Sequence, residues 1–524
     1  GHARCRFPAR ELFLTRHIPD LAAKLPAVSC PEWERFRRHL PIKDVALVFS
    51  SFYVNNPSSA FGHTLLKFGH AAPGDRTHSE LLDQGVNYAA NATTNNALLY
   101  AMLGLFGGFE GRLTTVPYFY KVREYNDAES RDLWTYHLTL SDDEKEILRA
   151  HLWELGQTHF DYWYLSENCS YHMLSALDAA APRLHLQDRL PSWVIPSDTV
   201  KLVNDTPGLV AATSYRASVA TRYTAIEGRL TKGEAALARK LITSDVACDS
   251  AEVRALSEER RALVLDTALD GIAFRSPGES LKGETPSGKQ STICVRMRAR
   301  VTAPVTPDPT PPPGSAPQTG HRSVRAALGG GHGSAVGAFT EVGLRFALHD
   351  MLDPPEGYPA GSQIEFLHGR IRLNTDEYQK RAPFRRVVEA EELTLFRVAS
   401  YAPVRFPRYP FSWRAELGAT RIKDQGCSRC FAAHLEADGG YTLGLGKQDQ
   451  LRIYGLMEGA WAATPAFTGA PVRLEVGPKA GVLWRPFSRL ALRAEAYGRG
   501  LLFSHQHWAY GWLAGSRWQI GRLP

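Results

Sequence analysis

The chain has 524 residues, with 61 basic and 54 acidic side chains and a formal charge of +7. It is too long for one ordinary hydrophobic core, so we expect two or three domains. Charged residues make up 22% of the chain and hydrophobic residues 44%, which excludes a disordered protein. No lysine- and arginine-rich run indicates nucleic-acid binding, and no apolar run approaches the roughly 18 residues of a membrane-spanning helix.

The first part of the chain, residues 1–230, alternates short strands with helices and predicts an α+β domain. It opens with GHARCRFPAR, which lacks the pattern of a signal peptide and is typical of a mature or trimmed N-terminus. DVALVFSSFYV, HTLLKFG and SELLDQGVNYA predict three strands. SDDEKEILRAHLWELGQ predicts a helix with Ser141 as N-cap and Glu144 completing a capping box. A second helix is predicted in YLSENCSYHMLSALDAA, with Cys169 at its start.

Two stretches in this part allow two interpretations each. YAMLGLFGGFEGR, residues 100–112, is typical either of a core helix that ends at Gly107-Gly108 or of a flexible lid or acyl-chain groove. VREYNDAESRDLW, residues 122–134, favours a structural ion network, with a substrate-binding role as the alternative.

A helical extension and a linker follow. Residues 231–302 predict helices that pack on the first domain. Residues 303–320, APVTPDPTPPPGSAPQTG, contain six prolines within 304–313 and predict an extended linker.

The seven cysteines are an odd number, so at least one thiol is left over if the others pair. Six of them form three candidate pairs: Cys5–Cys30, Cys248–Cys294 and Cys427–Cys430. The last pair is a lone CxxC motif, for which a disulfide at a strand end is at least as plausible as zinc binding. We therefore predict no metal site and no cofactor, and Cys169 is the thiol left over.

After the linker, residues 321–524 have a hydrophobic period of two. About ten segments, such as EVGLRFALHD and FSWRAELGATR, alternate apolar residues with Arg, Glu, Gly or His. Opposite charges on the polar face favour an antiparallel β-barrel of outer-membrane type, with a soluble sandwich or barrel as the alternative. Tryptophans near segment ends suggest interfacial girdles: Trp461, Trp484, Trp508, Trp512 and Trp518. The ending QIGRLP is not a terminal aromatic strand, so we expect closing strands to be missing.

Cys169 is the candidate nucleophile, because a helix N-terminus favours the thiolate over the thiol. A buried apolar filler is the alternative, but the neighbouring residues are polar. His63, at the start of a strand, is the candidate base, and His172 is its rival one helical turn after the cysteine. Asn87 on the next strand is the first choice to orient the imidazole.

Other polar residues complete the predicted site. Glu80 and Asp83 are alternatives to Asn87 as the orienting group. The Cys169 backbone N–H and a donor from the loop before His63 would hold an oxyanion. The candidates for oxyanion or substrate contacts are Tyr53, Asn55, Ser58, Ser59 and Asn168.

Several long segments resemble the Lnb N-terminal periplasmic domain family: NPSSAFGHTLLKF, VNYAAN, GLFGGFEGRLTTVPYFYKVREYNDAESRDLW and FDYWYLSENCSYHMLSALD. With CRFPAR and WVIPSDTV, the resemblance covers roughly residues 1–300. The order of a His-strand before an Asn-Cys-helix is similar to the circularly permuted papain-like fold of the NlpC/P60 superfamily. This resemblance implies that Cys169 is the nucleophile, His63 the base and Asn87 the orienting residue. It also implies acyl transfer through a thioester to an amine, an alcohol or water.

These features predict a cell-envelope acyltransferase or acyl hydrolase in the periplasm or outer membrane of a Gram-negative bacterium. The expected substrate is a phospholipid, a lipoprotein or peptidoglycan, and residues 321–524 would contact the outer membrane. The alternatives are a peptidoglycan amidase or peptidase and a non-enzymatic assembly or scaffolding protein. An apolar tunnel beside Cys169 would favour acyl chains, whereas an open polar groove would favour muropeptides.

Overall fold

The computed structural model describes most of the chain in two compact units, Gly1–Gln318 and Thr319–Pro524. The described residues are 2–52, 61–72, 80–94, 96–278, 285–304, 306–333, 337–359, 361–374, 388–421, 431–446, 449–463, 472–487, 490–501 and 509–518. Within these ranges, none of the helices combines the length and the apolar character needed to span a bilayer.

The first unit contains helices and short strands. Its described helices are α1 (Ala3–Arg6), α2 (Pro8–His17), α3 (Leu21–Lys24), α4 (Pro31–His39), α5 (Ala97–Leu105), α6 (Tyr118–Val122), α7 (Asp142–Leu155), α8 (Cys169–Ala180), α9 (Pro196–Asn204), α10 (Val219–Glu227), α11 (Lys232–Thr243), α12 (Ala251–Arg254), α13 (Glu258–Arg275) and α14 (Pro286–Ala299). Its described strands are β1 (Asp44–Ser50), β2 (His63–Gly69), β3 (Gln84–Ala90), β4 (Phe109–Pro117), β5 (Leu133–Leu138), β6 (Phe160–Tyr162) and β7 (Val210–Arg216).

These seven strands form one antiparallel sheet in the order β6-β4-β3-β2-β1-β5-β7. Every residue of β1 and β2 is buried; this fits the apolar run 45–49 in β1, whereas β2 also buries His63, Thr64 and Lys67. The register pairs Ser50 with His63, so His63 lies at the end of β2 that adjoins the β1–β2 connection. The sheet therefore places a histidine at the edge of a fully buried layer.

The third strand is shorter than the sequence predicts. Only Gln84–Ala90 pairs as a strand, whereas Glu80–Leu82 forms a 3₁₀ turn. The turn is closed by the Asp83 N–H, which donates to the Glu80 carbonyl over 3.2 Å. The capping box of α7 forms as predicted, because Ser141 and Glu144 each accept the other's backbone N–H.

In the predicted helical extension, α13 packs against α11 and α14, and it also packs against α10, which precedes the extension. The Cys248–Cys294 disulfide joins α14 to the segment between α11 and α12, and Cys5–Cys30 joins α1 to the start of α4. Two of the three candidate pairs are thus confirmed. Cys427 and Cys430 lie outside the described residues.

The proline-rich segment runs along the first unit. Arg298 in α14 donates to the carbonyls of Ala303 and Pro304, and the Thr306 hydroxyl donates to Asp266 over 2.8 Å. The Tyr136 hydroxyl donates to the Gln318 side chain over 2.5 Å. Contacts at both ends therefore hold this segment against the first unit.

The second unit is all β. Its described strands are β8 (Arg325–Gly333), β9 (Gly337–His349), β10 (Ser362–Asn374), β11 (Val388–Ser400), β12 (Ser412–Arg421), β13 (Phe431–Leu445), β14 (Leu451–Ala463), β15 (Val472–Phe487), β16 (Leu490–Leu501) and β17 (Ala509–Trp518). Each strand pairs antiparallel with the next in one ten-stranded sheet, which forms a half-barrel. Trp508 and the terminal QIGRLP lie outside the described residues.

The two faces of this sheet differ sharply. One, the charged face, carries a network of ion pairs between buried and partly buried side chains: Arg345, Glu365, Arg397, Arg414, Glu416, Asp438, Glu458 and Lys479. The other, the apolar face, exposes Val342, Leu344, Ile371, Leu393, Leu417, Leu435, Leu443, Ile453, Met457, Trp461, Val482 and Trp484. The alternation seen in the sequence therefore separates buried charges from exposed apolar side chains.

Candidate active site

Cys169 is the first residue of α8, and its thiol is free and only 2% exposed. Asn168 is the N-cap, because its Oδ1 accepts the backbone N–H groups of Ser170 (3.0 Å) and Tyr171 (3.3 Å). Its Nδ2 donates to two backbone carbonyls. The Asn168 side chain thus fixes the helix start, and the helix N-terminus lies at the sulfur.

His63 connects Cys169 to Asn87. Its Nε2 lies 2.5 Å from Asn87 Oδ1, and its imidazole also hydrogen-bonds the Cys169 sulfur. Because Asn87 occupies Nε2, the nitrogen left for the sulfur is Nδ1. The pairing of Leu66 with Val86 places Asn87 on the same face as His63, one diagonal step away. Adjacent strands thus supply the histidine and the asparagine.

Burial and charge act in opposite directions on this pair. Burial raises the pKa of the Cys169 thiol, but His63, through its charge and hydrogen bond, and two donors from Thr64 lower that pKa to about 6. Burial lowers the pKa of His63, but the Cys169 charge and the bonds to Cys169 and Asn87 raise it above its usual value. The arrangement therefore favours a thiolate beside an imidazolium.

The face of β2 that carries His63 is covered by α6 and the wide helical turn that follows it. The Tyr125 ring lies 5.7 Å from the His63 ring, and the Arg131 guanidinium lies 5.0 Å from the Tyr125 ring centre. Arg131 is 1% exposed and donates to two backbone carbonyls at the end of β1 and just after it. These contacts give residues 122–134 a structural part in holding the histidine.

The rival base, His172, lies on the opposite side of the sheet. Its ring centre is 4.0 Å from that of Tyr88, whose side chain is on the face of β3 opposite to Asn87. Burial lowers the pKa of His172 to about 4, and its Nε2 has no hydrogen-bond partner among the described residues. His172 is therefore a neutral, packed side chain.

The other predicted residues separate into two groups. Glu80 and Asp83 pair with Lys67 at 3.2 and 3.1 Å, so neither is the partner that His63 has in Asn87. Four predicted oxyanion or substrate residues lie outside the described residues: Tyr53, Asn55, Ser58 and Ser59.

The structure adds three residues that sequence reasoning missed. Hydrogen bonding from Thr64 lowers the pKa of the Cys169 thiol, and the Thr64 hydroxyl lies 2.8 Å from that of Ser170. Burial raises the pKa of Tyr162, and hydrogen bonding from the Cys169 backbone opposes that rise. Because side chains alternate along a strand, the sequence could have placed Thr64 on the face of β2 opposite to His63. No local pattern indicated Tyr162.

An exposed apolar helix adjoins the segment that leads to Cys169. The Gly104 carbonyl in α5 accepts the Tyr164 N–H over 2.9 Å, and a Cβ at Gly104 would lie 2.2 Å from the Tyr164 ring. Only a glycine permits this close approach. Three large apolar side chains of this region are exposed: Leu99, Met102 and Phe106. Residues 100–112 thus start as a helix that ends before Gly107-Gly108, with an apolar outer surface.

Comparison with known protein families finds one family model that covers all the residues of this site. Residues 32–206 match the model of the Lnb N-terminal periplasmic domain. We call this segment the Lnb domain, after the family model that it matches. The Lnb domain contains Cys169, His63 and Asn87, and its family supports a periplasmic location.

The rest of the chain matches two domains of unknown function. Residues 213–312 match DUF7842, and residues 314–523 match DUF7840. No curated protein and no solved structure matches the chain.

Proposed function

We propose that the Lnb domain is a cysteine-dependent acyltransferase or acyl hydrolase of the cell envelope. The observation that carries the proposal is the chain of contacts from Asn87 through His63 to the Cys169 sulfur. Nucleophile, base and orienting amide are the parts that a cysteine acyl-transfer enzyme needs. The order of histidine strand before cysteine helix supports a permuted papain-like arrangement.

The proposed reaction has two steps. The Cys169 thiolate attacks an acyl carbonyl, the bond to the alcohol breaks, and the His63 imidazolium gives its proton to the departing alkoxide. The resulting thioester is then attacked by an amine or water, whose proton goes to His63 as the thiolate leaves. Asn87 keeps the imidazole oriented through both steps.

We propose that the acyl group comes from a phospholipid or a lipoprotein. The exposed apolar side chains of α5 support this choice, because they lie on the helix that contacts Tyr164, five residues before Cys169. An acyl chain needs such an apolar surface, whereas a muropeptide is polar.

We also propose that the second unit contacts the outer membrane through its apolar face. Leu417, Leu435 and Trp461 are directly opposed on three neighbouring strands, and all three are exposed. A contiguous exposed apolar surface of this kind marks a site of contact with another apolar surface. A lipid bilayer fits this surface, because the opposite face of the same strands carries the charges. The full chain should stay with the membrane fraction after extraction with urea, and release by urea would contradict this placement.

The test of the catalytic proposal is capture of the thioester. The full chain is incubated with vesicles of phosphatidylethanolamine and phosphatidylglycerol, and its intact mass is measured before and after hydroxylamine treatment. We expect an acyl adduct that hydroxylamine removes. The adduct should be absent from Cys169→Ser and His63→Ala, and Asn87→Ala should reduce its rate of formation by about 10²-fold or more.

The matched control is His172→Phe, which changes a buried histidine one helical turn from the cysteine and should leave adduct formation within about twofold of wild type. Loss of the adduct in this variant, or its persistence in Cys169→Ser, would contradict the assignment. Cleavage of muropeptides without an acyl adduct would instead favour the peptidase alternative.

A further inference from the structure

Two histidines and an aspartate of the second unit meet at one end of its sheet. His321 precedes β8, His349 is the last residue of β9, and Asp353 lies in the turn that follows β9. One ring nitrogen of each histidine and one carboxylate oxygen of Asp353 all lie within 4.8 Å of one another. The sequence did not indicate this cluster, because 28 positions separate its two histidines.

The two imidazoles direct nitrogen atoms toward each other and toward the carboxylate. His321 Nε2 lies 2.9 Å from His349 Nδ1 and 3.7 Å from Asp353 Oδ2. His321 Nδ1 lies 2.8 Å from the Arg322 carbonyl oxygen. A carbonyl oxygen only accepts, so Nδ1 carries the hydrogen and Nε2 of the neutral ring carries a lone pair. A carbonyl that sets the tautomer in this way is typical of histidines that bind a metal.

Tyr358 holds both imidazoles in place. Its ring centre lies 4.6 Å from that of His321 and 4.3 Å from that of His349, and it is stacked on both. Its hydroxyl donates to the His321 backbone carbonyl over 2.8 Å. The orientation of the two rings is therefore set by packing, which lowers the entropy cost of binding an ion between them.

The Asp353 carboxylate is also held by hydrogen bonds. Its Oδ2 accepts the Asp350 N–H (2.9 Å) and Arg345 (2.5 Å), and its Oδ1 accepts Arg325 (2.5 Å). Each guanidinium has a further carboxylate nearby, because Arg325 pairs with Asp350 at 2.6 Å and Arg345 lies 3.8 Å from Glu365. Asp353 can therefore share its charge with a bound cation. Carboxylates that bind a metal are themselves hydrogen-bonded in this manner.

The donor set indicates the class of ion. Two imidazole nitrogens and one carboxylate oxygen suit divalent transition metals, and zinc is the most typical of them. Calcium and magnesium favour sites made of oxygen atoms alone. Three protein ligands leave the fourth position of a tetrahedron to water. His349 and Asp353 are buried, whereas the His321 side chain is 17% exposed and gives the ion a way in.

We propose that His321, His349 and Asp353 form a binding site for a divalent transition-metal ion, with zinc as the preferred one. The bound ion ties the segment before β8 to the end of β9 and to the turn after it. This inference does not depend on the proposed function, because its three ligands belong to the second unit and Cys169 belongs to the first.

The test measures zinc binding to the full chain. The background carries Cys427→Ser and Cys430→Ser, so that the CxxC motif cannot supply a second zinc site. The protein is stripped with EDTA and dialysed against increasing concentrations of zinc chloride, and its zinc content is measured by mass spectrometry of the element. We expect about one zinc ion per chain at saturation.

Two variants remove a ligand nitrogen but keep an aromatic ring against Tyr358. His321→Phe and His349→Phe should each weaken zinc binding by about 100-fold or more, because losing a residue that only supports a ligand already costs about 10–100-fold. The matched control is His434→Phe. His434 is also buried in the second unit, but it bonds Glu416, and the zinc affinity should stay within about twofold of the background protein.

Cobalt(II) gives a second measurement that needs no variant of the site. Cobalt held by two imidazoles and a carboxylate shows visible bands without the ultraviolet charge-transfer band that a thiolate ligand produces. Absence of zinc uptake, a thiolate band with cobalt, or unchanged zinc affinity in a His321→Phe variant that circular dichroism shows to be folded would each overturn the site. None of these results would change the expected acyl adduct at Cys169.

Discussion

The two units of this chain bury ionisable side chains in opposite ways. In the first unit, β1 and β2 fill a buried layer with apolar side chains, and ionisable groups enter it in small sets such as His63 and Cys169. In the second unit, the charged face is a continuous network of buried arginine, lysine, glutamate and aspartate side chains, while the apolar face is exposed.

The two units therefore satisfy their buried charges differently. A buried charge is tolerated only when partners satisfy it, and a network satisfies many charges at once. In the first unit the pair of Cys169 and His63 is small, and in the proposed function it serves the reaction. In the second unit the ion pairs take the place that apolar packing has in the first.

The largest expected effect comes from breaking the charged network at its centre. Arg397 donates to Glu365, Glu392 and Glu416 over 2.5–2.7 Å, so Arg397→Met leaves three buried carboxylates without this partner. We expect a loss of about 3–5 kcal/mol in the free energy of unfolding, measured by urea denaturation of the full chain. Arg239→Met, which breaks the more exposed pair with Glu227, should cost about 1 kcal/mol or less. Equal losses in the two variants would contradict the contrast.

The apolar face offers the second test. Leu435→Arg places a charge among the exposed side chains of Leu417 and Trp461. If a bilayer covers this face, the variant should lose about 2–4 kcal/mol of stability in lipid vesicles, measured by urea denaturation. Leu82→Arg, at a 58% exposed position of the first unit, should change stability by only about 0.5 kcal/mol. A similarly small change for Leu435→Arg would argue against a lipid cover.

The third test concerns the neutral histidine of the first unit. Burial lowers the pKa of His172 to about 4, so the unfolded chain binds a proton at this residue at higher pH than the native chain does. Stability should therefore fall as the pH falls from about 6.5 to about 4, by up to about 3 kcal/mol. His172→Phe should remove this part of the loss, so its stability relative to wild type should rise with acidification. A difference that does not depend on pH would contradict the burial of a neutral imidazole.

Much of the site was predictable because its signals are local. Cys169 at a helix start, His63 at a strand start and the capping box of Ser141 depend on residues within one turn or one strand. The disulfides Cys5–Cys30 and Cys248–Cys294 were also predicted and are confirmed. The 3₁₀ turn at Glu80–Leu82 was mistaken for strand, because its apolar residues fit the pattern of the strand that follows.

Other parts of the site were not predictable because they depend on which surfaces meet. Thr64 contacts the Ser170 hydroxyl because α8 packs on its face of β2, and burial of Tyr162 in β6 depends on the same packing. His63 and His172 are similar candidates in the sequence, and they differ only in the faces and neighbours that the sheet gives them.

The sequence by itself indicated where α7 and α8 begin, gave Cys5–Cys30 and Cys248–Cys294 as candidate pairs, and showed that the second unit alternates between two unlike faces. Only the tertiary structure decided that His63 contacts both Cys169 and Asn87, and that the charged face of the second unit is the buried one. The physical reason is that periodicity and capping are properties of neighbouring residues, whereas burial and pairing depend on what packs against each face.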